Sequence, residues 1–115
     1  MRHPSIFCKV VGMSGRYDLT KSKGYFQDLL SGFHNDFVYF NMPNQYLKNL
    51  EDAYLIQQIN KMDIILAIGK KDSFLESNYE LSHILKEKGI SHQLFEWDEE
   101  AHKAWYWRKM VNIYF

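Results

Sequence analysis

Five consecutive apolar residues, Ile64-Ile65-Leu66-Ala67-Ile68, run into Gly69 and then into Lys70-Lys71-Asp72. A run this short, rich in β-branched residues and closed by Gly, reads as a strand rather than a helix. It shows no polar alternation, so both of its faces must be covered. Strands of that kind are parallel and central in sheets flanked by helices. Met62 to Gly69 therefore constrains the chain to an α/β architecture, and the flanking sequence can be read around it.

Ile6 to Met13 is a second short apolar run, closed by Ser14-Gly15, and Ile90 to Trp97 alternates well enough to be a third strand centred on His92 to Glu96. Between the first two strands, a short helix is expected around Phe26, Leu29 and Leu30. Ser31 to Tyr46 reads as an ordered loop broken at Asn41-Met42-Pro43-Asn44. A further amphipathic helix is marked by Leu50, Tyr54, Leu55 and Ile59. Leu81, Ile84 and Leu85 recur at helical spacing, with Ser77 or Asn78 as the expected cap and Gly89 as the stop signal. Lys103 to Phe115 carries Trp107, Met110, Val111 and Tyr114 at helical spacing. Strand and helix alternate, which predicts a three-layer sandwich on a mostly parallel sheet.

Bulk properties narrow the function. At 115 residues, residues 1–115 form a single domain or part of one, and a domain this size buries only about two thirds of its unfolded surface. Fourteen basic side chains balance fourteen acidic ones, which argues against a nucleic-acid partner. Cys8 is the only cysteine, so an internal disulfide and a thiolate zinc site are both excluded, and a reduced, cytoplasmic setting is expected. No segment approaches the roughly 20 apolar residues that cross a bilayer, so no membrane partner is expected. His3, His34, His83 and His92 show no i, i+4 pairing, and neither a metal nor any other cofactor is expected.

Two positions carry chemistry. Asp72 lies just past the carboxyl end of the apolar strand, and His102 just before the aromatic terminal helix, where open α/β sheets build their sites. Singly, Asp72 reads as a loop-bending acid and His102 as a solvated or packed residue at a helix end. Together they fit a relay in which a carboxylate fixes the imidazole tautomer and the imidazole moves a proton to and from a nucleophile. Trp105, three positions beyond His102, is the candidate wall of a substrate pocket, and Arg108 is expected to anchor the helix by an ion pair. Ser14 is the in-chain candidate nucleophile, because Ser14, Asp72 and His102 follow the chain order of α/β hydrolases. A nucleophile elbow needs small residues two positions either side of the serine, and Gly12-Met13-Ser14-Gly15-Arg16 has one of them.

Arg2-His3-Pro4, the strand ending Gly12-Met13-Ser14-Gly15-Arg16-Tyr17-Asp18, Tyr39-Phe40-Asn41-Met42-Pro43 with Tyr46-Leu47, Gly69-Lys70-Lys71-Asp72, the Asn78 to Leu85 helix and Trp97 to Trp107 follow one another in order. In that order they resemble the C-terminal half of bacterial esterases of the α/β-hydrolase superfamily, the esterase D or antigen 85-like group. The resemblance implies that Asp72 is the triad acid and His102 the general base of carboxylic ester hydrolysis through an acyl-enzyme. It also implies that the serine and the oxyanion amides belong to sequence preceding this chain. The chain alone is then expected to be inactive, with a small ester as substrate of the intact enzyme. The strand at Cys8 to Ser14 becomes an exposed edge, and self-association or pairing with the missing N-terminal half is expected. The competing expectation is a non-enzymatic α/β interaction module, or a degenerate hydrolase remnant, whose Trp-rich helix docks a partner.

Overall fold

The computed structural model describes residues 1–19 and 36–115. Its elements are β1 (Lys9–Met13), α1 (Asp36–Tyr39), α2 (Pro43–Lys48), α3 (Ala53–Asn60), β2 (Asp63–Gly69), α4 (Leu75–Glu87), β3 (Gln93–Trp97) and α5 (Ala104–Tyr114). The strands form one sheet in the order β1-β2-β3, with both pairings parallel. The apolar run is the central strand: from Ile64 to Gly69 every residue is buried. The helix expected around Phe26 to Leu30 lies outside the described residues.

Side-chain alternation along β2 divides the core. Ile64 and Leu66 face a cluster with Leu47 of α2, Ile59 of α3 and Leu81, Ile84 and Leu85 of α4. Ile65 and Ala67 face the opposite way, onto Met110 and Tyr114 of α5 and Ala101. Helices thus cover both faces of the sheet. Each fully buried Leu or Ile contributes about 1.5–3 kcal/mol from removing its apolar surface from water, so the larger cluster dominates stability.

Several local expectations change. The described part of the expected loop from Ser31 to Tyr46 holds the short helix α1 and, after a turn at residues 40–42, the start of α2, because Pro43 opens a helix instead of breaking one. It occupies the first turn of α2 after an extended Met42, where its missing N–H leaves no helical bond unmade. The helix at α4 begins at Leu75, ahead of the expected caps, and Phe74 at its N-cap gives no side-chain cap. Asp72 does part of that work, its Oδ1 accepting from Phe74 N–H at 2.9 Å. Ser77 and Asn78 are instead buried and turned toward the loop after β1: Ser77 Oγ accepts from Tyr17 N–H at 3.0 Å, and Asn78 Nδ2 donates to Gly15 O at 2.9 Å. Asp52, by contrast, caps α3 by accepting from the N–H groups of Tyr54 and Leu55. Arg108 is exposed and makes no ion pair among the described residues; α5 is held by its apolar face and by the hydrogen bonds of Trp107 to Ser14 and of Trp97 to Tyr114. Gly89 adopts φ +70° just past α4, a left-handed turn that glycine takes without steric penalty.

Candidate active site

The carboxyl ends of all three strands converge on one small region. After β2 the chain turns so that Asp72 N–H bonds Gly69 O at 3.0 Å and Leu75 N–H bonds Asp72 O at 3.2 Å. This turn points the Asp72 carboxylate inward, with its side chain only 2% exposed. After β3, residues 98–103 cross over the end of β2 before α5 starts. They pass so close that a Cβ at Gly69 would run into the backbone of Glu99 and Glu100, which is why the strand must end in glycine.

The two loops are zipped together. Lys70 N–H donates to Trp97 O at 2.8 Å and Lys71 N–H to Glu99 O at 2.9 Å. Outside these, Lys70 pairs with Asp98 at 3.5 Å and Lys71 with Glu99 at 3.1 Å. Both ion pairs are well exposed, so each adds at most about 1 kcal/mol and serves mainly to keep the loops in register. The result is a hydrogen bond of 2.9 Å between His102 Nδ1 and Asp72 Oδ2. A carboxylate only accepts, so Nδ1 carries the proton and Nε2 becomes the basic nitrogen. The second Asp72 oxygen is held by Phe74 N–H, which fixes the carboxylate plane.

Rings wall the imidazole on two sides. Phe74 meets it edge-on at 5.7 Å between centroids and Trp107 at 5.2 Å. Trp105 is placed elsewhere: it is 48% exposed, stacks on Tyr106 at 3.8 Å and lies under the Lys109 ammonium at 4.4 Å. Counting three residues on from His102 assumed a continuous helix. Lys103 is extended at φ −141°, ψ 151°, and the helical turn begins only at Ala104, which brings Trp107 round to the histidine instead. Arg16 extends the site, its guanidinium lying 5.7 Å over the Phe74 ring while also lining an apolar pocket of about 320 Å³ with Leu19, Phe37, Val38 and Met42.

Backbone conformation marks the same region. Among the described residues, three that are not glycine have left-handed φ: Ser14 at 53°, Glu99 at 64° and Ala101 at 53°. Each costs about 1–2 kcal/mol relative to an ordinary conformation, and such residues gather where a site is held by its surroundings. Ser14 is buried after β1, with its N–H on Ala67 O at 2.8 Å, its Oγ donating to Ala101 O at 3.4 Å and accepting from Trp107 Nε1 at 3.5 Å. The sequence singled out Ser14, Asp72 and His102, and the structure gathers all three at one end of the sheet. It pairs the last two directly and sets Ser14 against the backbone preceding His102. Phe74 and Trp107 are not among the expected site residues: the sequence marks Trp107 only as part of the apolar face of the terminal helix, and Phe74 only by its place two residues after Asp72.

No protein-family model and no curated protein matches the chain. Among solved structures it is similar to a ferulic acid esterase, with a TM-score of 0.72 over 96% of this chain at 20% sequence identity. The chain spans 40% of the length of that esterase. At this identity the likeness is one of fold. Among the described residues no helix is long and apolar enough to cross a membrane.

Proposed function

We propose that this chain is the C-terminal part of a serine ester hydrolase of the α/β-hydrolase type, with Asp72 as triad acid and His102 as general base. The observation that supports it most is the 2.9 Å Asp72–His102 bond, made by loops at the ends of adjacent parallel strands in a fold similar to that of an esterase. His102 Nε2 takes the proton of a serine hydroxyl as the serine oxygen attacks the ester carbonyl. The imidazolium, stabilised by the Asp72 carboxylate, then returns that proton to the departing alcohol as the C–O bond breaks, leaving an acyl-enzyme. In the second half, His102 deprotonates water, the hydroxide attacks the acyl carbon, and the serine leaves with the proton. The pocket beside Arg16 offers room for the apolar part of a small ester.

In this reading the nucleophile and oxyanion amides come from a polypeptide segment preceding this chain, seated against β1. That strand pairs only with β2 among the described residues, and Ile6 and Phe7 beside it are 73% and 56% exposed. On α5, a groove of about 480 Å³ is lined by Trp107, Arg108 and Val111. Alone, the chain is inert and associates with itself through this edge, since unpaired strand groups beside apolar side chains invite pairing. A serine-directed phosphonate tests the reading. The polypeptide containing this chain and its preceding segment is expected to be labelled on a serine of that segment, and His102→Ala to abolish labelling. Labelling that survives His102→Ala would refute the assignment.

A further inference from the structure

We infer that Ser14 is a positioning residue for His102 and not a nucleophile. Ser14 stands at the end of β1 with left-handed φ 53° and is 5% exposed. Glycine would meet that backbone demand with less strain, so what serine adds is the hydroxyl. Its N–H is fixed to Ala67 O of the central strand at 2.8 Å, which makes the hydroxyl a point anchored to the sheet.

The two bonds made by that hydroxyl reach the two supports of His102. Oγ donates to the carbonyl of Ala101, the residue directly before the histidine, at 3.4 Å. It accepts from Nε1 of Trp107, whose ring packs against the imidazole, at 3.5 Å. Each bond is long and weak alone. They act on the same imidazole from two directions, while Asp72 holds its Nδ1 from a third. A nucleophilic serine directs its proton to the imidazole; this one directs it to a backbone carbonyl. The loops after all three strands therefore meet on one side chain, and β1 contributes the hydroxyl that stops the Ala101–His102 segment from drifting. Ala101, itself left-handed at φ 53° and fully buried, is the residue that such a tether must restrain.

The functional weight of this inference rests on the catalytic reading of His102, but its primary test does not. Ser14→Gly removes the hydroxyl while accommodating the left-handed backbone, and Ser14→Ala serves if the glycine variant fails to fold. In the full chain, circular dichroism and the thermal midpoint should stay close to wild type. The Nδ1–H resonance of His102 and the indole N–H of Trp107 should both shift in the proton NMR spectrum, with solvent exchange at His102 Nδ1 faster by about tenfold. Unchanged resonances in a folded variant overturn the inference, as does phosphonate labelling of Ser14 itself. In the polypeptide bearing the nucleophile, kcat should fall about tenfold with KM unchanged. Shifted resonances with unchanged kcat would mean that Ser14 positions a histidine that is not catalytic.

Discussion

The two faces of the sheet are built to different depths, and each leads to one member of the hydrogen-bonded Asp72–His102 pair. On one face three helices, α2, α3 and α4, bury Leu47, Ile59, Leu81, Ile84 and Leu85 against Ile64 and Leu66. On the other, among the described residues, a single helix, α5, rests on Ile65 and Ala67 through Met110 and Tyr114. Asp72 leads into α4 on the deep face, and His102 leads into α5 on the shallow one. Asp72 thus inherits its position from the main core. His102 sits over the smaller cluster and is held by the rings of Phe74 and Trp107, by the backbone bonds of Lys70 and Lys71 to Trp97 and Glu99, and by the hydroxyl of Ser14. A deep core fixes a loop by burial; a shallow one needs hydrogen bonds and strained, tightly fitted turns to reach the same accuracy.

Substitutions on the two faces should separate accordingly. Leu85→Ala removes a fully buried side chain from the deep face and is expected to cost about 2–5 kcal/mol, read as a lower urea midpoint. Met110→Ala on the shallow face should lie near the lower end, about 2 kcal/mol, because α5 can settle onto the smaller side chain. Its distinctive effect is local: amide exchange across residues 98–103 should accelerate while α4 stays protected. Equal costs at Leu85 and Met110, with exchange rising everywhere, would break the comparison.

Tyr17 sharpens it from the alkaline side. Its ring packs against the deep core, and burial pushes its hydroxyl up to about 12. A group that holds its proton more tightly in the folded state contributes nothing adverse below its ordinary value of 10.0 and destabilises as pH rises from there through about 12. The loss over that window should be on the order of 2 kcal/mol. Tyr17→Phe should remove it, and should also stabilise modestly at neutral pH, because the buried Tyr17 hydroxyl has no hydrogen-bond partner among the described residues. Denaturation midpoints followed from pH 9 to pH 12 in both proteins check the sign; an identical alkaline loss in Tyr17→Phe would assign it to another group.

The central strand, the helix at α4 and the aromatic helix at α5 were legible because apolar periodicity reports burial directly. The acid and the histidine were legible because each stands at a strand end, where parallel sheets converge. Three features were not. Pro43 looked like a break because the same residue closes one element and opens the next, and only the extended Met42 before it decides between them. Ser77 and Asn78 looked like caps because their side chains suit that task, yet burial against the turn after β1 claims them first. Trp105 stands closer to His102 in sequence than Trp107 does, but the helix begins only at Ala104, two residues after His102, and that offset turns Trp107 toward the ring. Each error came from reading a local rule across a boundary that tertiary packing draws.

The most direct test of the central claim is the rate of ester hydrolysis after Asp72→Asn in the polypeptide that joins this chain to its preceding segment. An amide keeps the size and buried position of the carboxylate, but its single acceptor oxygen cannot serve both Phe74 N–H and His102 Nδ1–H, and it carries no charge to stabilise the imidazolium. The account predicts a kcat about 10⁴-fold lower, with the fold intact by circular dichroism. A rate within a factor of about two of wild type, in a folded protein, would contradict it and make the Asp72–His102 bond a structural contact.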